Sequence, residues 1–117
     1  MAKVALAVCA HPDDLEFFCG GSTVAMVRDG WDVALAIATD GDRGTHDPAV
    51  SRESLAALRR EESRRAGQIL GLSGIVFLGK EDGELHADRS LRRDLARVYR
   101  QIRPDRLITF DPWRRYE

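Results

Sequence analysis

A chain of 117 residues, 44% apolar and 32% charged, fits one compact globular domain over residues 1–117 and excludes a disordered tract. A net charge of −1 and a pI near 6.3 leave no basic excess for a nucleic-acid partner, and no run approaches the roughly 20 apolar residues of a membrane span. Cys9 and Cys19 form neither a CxxC pair nor a disulfide framework, so a reduced, cytoplasmic setting is expected.

Val4 to Cys9 is a continuous apolar run that ends in His-Pro, the pattern of a strand buried on both faces. It is too short for a signal peptide and lacks a cleavage region. Gly20-Gly21-Ser22 opens a predicted helix through Arg28, closed by Asp29-Gly30. Trp31 to Ala38 reads as a second strand, followed by the loop Thr39-Asp40-Gly41-Asp42-Arg43-Gly44. Ser51 is the expected N-cap of a helix reaching Leu70, with Leu55, Leu58, Ile69 and Leu70 as its apolar contacts and Gly71 ending it. Gly74 to Leu78 is a third strand, with the turn Glu81-Asp82-Gly83 after it. Leu91, Leu95, Val98 and Ile102 recur at helical spacing until Pro104, and Arg106 to Phe110 forms a fourth strand. The arginines at 92, 93, 97, 100 and 103 alternate with that apolar stripe and read as a solvated helix face.

Strand and helix alternate throughout, which predicts a three-layer α/β/α, Rossmann-like domain around a mostly parallel sheet. No internal boundary or repeat interrupts it. No GxGxxG follows the first strand and no Walker A loop is present, which disfavours nucleotide sites. Ligands of such sheets bind beyond the carboxyl ends of the strands, where Ala10-His11-Pro12-Asp13-Asp14 lies. His11 and Asp14 stand three residues apart, so one turn can bring an imidazole and a carboxylate to one zinc ion. Asp13 projects elsewhere and is free to meet water, while Pro12 stiffens the turn. A strand-terminating turn with an aspartate helix cap is the simpler explanation of this segment taken alone. Cys9 reads as a small core residue.

Four motifs in register change that balance. Val8 to Glu16 carries the AHPDD-x-E pattern with Gly20-Gly21 behind it, and Thr39 to Gly44 resembles a T-x-G-[ED]-x-G loop. Arg59, Glu61 and Glu62 fit R-x-E-E, and Phe77-Leu78-Gly79 with Asp82-Gly83 fits FLG-x-x-DG. The chain thereby resembles the LmbE-like, or PIG-L-like, zinc-dependent N-acetylglucosamine deacetylases over essentially its whole length. That resemblance implies His11 and Asp14 as metal ligands, Zn2+ as cofactor, and Asp13 as general base. It implies hydrolysis of an N-acetyl group from a small N-acylated amino sugar. Arg59 resembles a substrate-binding residue, with an ion pair to Glu62 or Glu61 as the competing reading. Asp82 is expected to line the substrate side of the pocket, with an ordinary turn aspartate as the alternative.

The strand order expected is 3-2-1-4, which sets the ends of strands one and four side by side. The family's third ligand comes from an HPDH-like segment after the fourth strand. This chain ends at Glu117, where that segment is expected to begin, so it reads as truncated at its C-terminus. His46 and His86 occur in no such motif and read as exposed loop residues. The alternatives to a deacetylase are a catalytically incomplete binding module and a hydrolase of a different N-acylated amine. The uncovered end of the fourth strand, with Phe110 and Trp113, is expected to favour a homo-oligomer or pairing with a further segment.

Overall fold

A computed structural model describes residues 2–12, 14–40, 49–80 and 85–113, with the backbone alone at Glu16, Phe17 and Phe18. The elements run β1 (Val4–Cys9), α1 (Asp14–Arg28), β2 (Asp32–Thr39), α2 (Arg52–Leu70), β3 (Gly74–Lys80), α3 (Arg89–Ile102) and β4 (Arg106–Ile108). The four strands are all parallel, in the order β3-β2-β1-β4, as the alternation of elements requires.

Because β1 and β2 are covered on both faces, nearly every residue in them is apolar and buried. Side chains of odd number, Ala7, Cys9, Leu35 and Ile37, meet Leu15 of α1 and Leu70 of α2. Those of even number, Leu6, Ala34 and Ala36, meet Val98, Tyr99 and Ile102 of α3 on the opposite face. Three layers result. Trp31 falls just outside β2 and lies between Lys3 and Arg106, whose charged groups sit 5.5 and 4.7 Å from its ring centroid.

Helix ends follow local chemistry. Ser51 accepts the Ser54 N–H at the start of α2, and Gly71 ends it in the left-handed region (φ 80°). Asp88 caps α3 by accepting the Leu91 N–H, and Arg103 (φ 52°) turns the chain before Pro104. The α3 arginines at 92, 93, 97, 100 and 103 are exposed, in keeping with a solvated face.

Three sequence expectations need correction. Helix α1 begins at Asp14, not at Gly20; Cys19 leaves helical geometry (φ −146°, ψ 24°), so a kink separates the first turns from the piece that Gly20 opens. The buried Thr23 hydroxyl bonds the Cys19 carbonyl at 2.9 Å there. In α2, Leu58 and Ile69 are exposed at 54% and 86%; the helix turns Leu55, Ser63 and Gly67 inward instead. Gly67 sits so close to the sheet that a Cβ there would lie 2.8 Å from Ile75 Cδ1. Finally, β4 stops at Ile108, because its pairing with β1 spans only Arg106 to Ile108.

Candidate metal centre

The carboxyl ends of β1 and β4 lie side by side, the position expected of a binding crevice where strand order reverses. A cleft of about 230 Å³ opens there, lined by Val8, Cys9, Asp14, Cys19, Ile108 and Phe110, with Thr109. Apart from Asp14 and the Thr109 hydroxyl, these side chains are apolar or thiol-bearing. A carboxylate at the mouth of such a cleft requires charge-assisted partners.

Asp14 finds them in its own loop. Its Oδ2 accepts the backbone N–H of Ala10 at 3.1 Å and of His11 at 2.9 Å. The Asp14 N–H in turn donates to the His11 carbonyl at 3.2 Å. This reciprocal turn folds the loop so that His11 Nδ1 stands 3.6 Å from Asp14 Oδ2, with the imidazole 46% exposed and the carboxylate 12%. The two side chains that the sequence spacing pairs are therefore brought together.

Neutral imidazole nitrogen and carboxylate oxygen are donors that zinc accepts, so the pair fits a divalent cation in kind. In number it supplies two donors; among the described residues no cluster of three or more His, Cys, Asp or Glu converges. Asp13 and Asp82 lie outside the described residues, as does His46. His86 is exposed, just ahead of α3.

Arg59 is placed in an exposed ion pair with Glu62 at 3.3 Å, the competing reading of that residue. Its neighbour Arg60 is the arginine that reaches the top of the sheet. Its Nε and Nη2 both donate to Asp40 Oδ1, at 3.1 and 2.8 Å, and its guanidinium lies 5.5 Å from the Phe77 ring. Gly79 turns the chain there with φ 71°, a left-handed conformation that favours glycine. Two further residues have a place that the sequence did not assign, although Thr39 opens the T-x-G-[ED]-x-G loop. The Thr39 hydroxyl and N–H both donate to the Ala10 carbonyl, and the Ser63 hydroxyl donates to the Pro12 carbonyl. The one available signal for Ser63 was its place four residues before Gly67 and eight after Leu55, on the face that proves buried.

Comparison with known proteins bears on the same segment. Residues 6–116 match the family described as PIG-L: GlcNAc-PI de-N-acetylase. Diacetylchitobiose deacetylase of Thermococcus kodakarensis is 38% identical over 115 residues, 98% of this chain and 43% of the relative. The structure of N,N'-diacetylchitobiose deacetylase from Pyrococcus horikoshii superposes with a TM-score of 0.94 at 37% identity, covering 99% of this chain and 43% of the other. A 4-carboxy-2-hydroxymuconate hydratase from Pseudomonas putida shares the fold at a TM-score of 0.85 and 28% identity, covering 95% of this chain and 49% of its own. The chain thus spans less than half the length of these relatives.

Proposed function

The chain belongs to the PIG-L family of GlcNAc-PI de-N-acetylases, and from that premise we propose that it forms the cation-binding, water-activating part of an N-deacetylase for N-acetylglucosamine-type substrates. The observation that carries this reading is the His11–Asp14 pair, 3.6 Å apart beside the cleft between β1 and β4. The deacetylase relatives, at 37–38% identity, favour amide hydrolysis over the hydration named for the 28% relative.

In this reading His11 contributes an imidazole nitrogen and Asp14 a carboxylate oxygen to a zinc ion. The ion supplies Lewis-acid polarisation of the substrate amide when bound. Asp13, next in the chain to Asp14, is the general base. It takes a proton from the attacking water as the C–O bond forms, and returns it to nitrogen as the C–N bond breaks. Acetate and a free amino sugar result. The backbone amides of Ala10 and His11 hold Asp14 in its turn, so the ligand carboxylate need not reorganise during turnover. Arg59 and Asp82 are assigned to the polar groups of the sugar.

The test uses protein loaded with zinc and N-acetylglucosaminides as substrates. Asp13→Asn should retain zinc and the fold while kcat for acetate release falls by about 10² to 10⁴. Unchanged kcat would assign the base elsewhere. Hydration of an unsaturated dicarboxylate without acetate release from any N-acetylglucosaminide would replace the deacetylase reading with the hydratase one.

A further inference from the structure

Two buried hydroxyls have no part in that chemistry. Thr39 closes β2 at 2% exposure, and Ser63 lies in mid-α2 at 3%. Both donate into the loop that carries His11. Thr39 Oγ1 reaches the Ala10 carbonyl at 2.7 Å, and the Thr39 N–H reaches the same oxygen at 2.8 Å. Ser63 Oγ reaches the Pro12 carbonyl at 3.1 Å.

Peptide units are rigid planes, so fixing a carbonyl fixes the backbone on either side of it. The Ala10–His11 peptide is gripped at both ends: its oxygen by Thr39, its N–H by Asp14 Oδ2 at 2.9 Å. The Pro12 carbonyl is held by Ser63. His11 thus follows one anchored peptide plane and precedes a second held carbonyl, that of Pro12. Satisfying two buried hydroxyls could have been done locally, within the helix or strand that bears them. Instead they converge on one loop from positions 29 and 51 residues away in sequence. The Thr39 hydroxyl also duplicates a bond that its own N–H already makes, at a place in β2 where every other buried side chain is apolar. Valine would fill that site without the second bond.

We propose that Thr39 and Ser63 are positioning residues of the cation-binding loop, holding His11 and Asp14 in ligating arrangement before any cation arrives. The proposal rests on the assignment of those two residues as ligands. Groups that orient metal ligands typically contribute about 10- to 100-fold to metal affinity, and a similar loss is expected for Thr39→Val and Ser63→Ala.

The experiment follows cobalt(II) uptake by the full chain through its absorption spectrum, together with hydrogen exchange of the His11 amide. Thr39→Val should weaken cobalt binding and speed His11 exchange about tenfold or more, because a loosened turn opens more often. Thr39→Ser keeps the hydroxyl and loses a methyl, so both readouts should stay near those of the unaltered chain. A packing role predicts the reverse, since valine keeps the branched shape of threonine and serine loses a buried methyl. A valine variant that matches or exceeds the serine variant in both readouts overturns the proposal. Failure of the unaltered chain to take up cobalt would show that two donors do not hold the ion by themselves. Exchange then decides alone: unchanged His11 exchange in Thr39→Val overturns positioning, and faster exchange upholds it. Should Ser63→Ala not fold, the Thr39 pair carries the test unaided.

Discussion

The two strands that flank the cleft end in opposite ways. Past Cys9, the end of β1 is tied by two bonds from Thr39, one from Ser63 and two into Asp14. The end of β4 pairs with β1 over three residues, and beyond them the Thr109 hydroxyl adds a bond to the Val8 carbonyl at 3.0 Å. Leu107, Phe110 and Trp113 are exposed there at 46%, 38% and 91%. The difference is one of neighbours. β1 lies between two strands and beneath α1 and α2, whereas β4 is at the sheet edge with a neighbour on one side. The proposed ligands His11 and Asp14 lie on the wall that the rest of the fold already surrounds.

The largest effect that would break this contrast concerns metal retention. His11→Ala or Asp14→Ala should lower zinc affinity by more than about 100-fold, since orienting groups alone contribute up to that much. Elemental analysis after dialysis reads the loss. Trp113→Ala, on the open wall, should leave zinc content unchanged, and equal loss in both would erase the distinction between the walls.

Stability separates the same regions. Leu35→Ala, at a side chain 1% exposed in β2, should destabilise by about 2–5 kcal/mol in denaturant unfolding. Leu107→Ala on the edge strand should change it by under about 0.5 kcal/mol. A larger effect at Leu107 would mean that the β4 edge is covered in solution.

A smaller loss is expected where α2 turns into β3. Gly71 holds φ 80°, and a Cβ there would meet Val27 Cγ1 at 2.9 Å. Gly71→Ala combines left-handed strain with overpacking and should cost about 1–3 kcal/mol. A neutral result would show that α1 and α2 separate easily at this end.

The smallest effect sharpens the comparison within one helix. Arg60→Ala loses a partly buried pair with Asp40 and should cost about 1 kcal/mol, discounted for its partial exposure. Arg59→Ala loses an exposed i,i+3 pair and should cost about 0.3 kcal/mol. Equal unfolding midpoints for the two variants would remove the structural distinction between these arginines.

By itself the sequence determined the order and type of the elements, because apolar runs of four to eight residues and helical stripes are local signals bounded by local punctuation. Ser51, Gly71 and Pro104 mark helix boundaries for reasons of capping and φ that need no tertiary partner. It also placed His11 and Asp14 at a strand's carboxyl end, since parallel alternation fixes where that end must be. Tertiary structure decided what depends on azimuth and on contacts distant in sequence. Helix α1 starts at Asp14 only because that loop folds back onto its own carboxylate. Leu58 and Ile69 face solvent because α2 settles on β3 through Gly67, where backbone can approach Ile75 closely, and that rotation carries Ser63 inward. The same rotation gives Asp40 to Arg60 and leaves Arg59 with Glu62. Adjacent residues on a helix point about 100° apart, so one rotation that no local pattern specifies exchanges their roles.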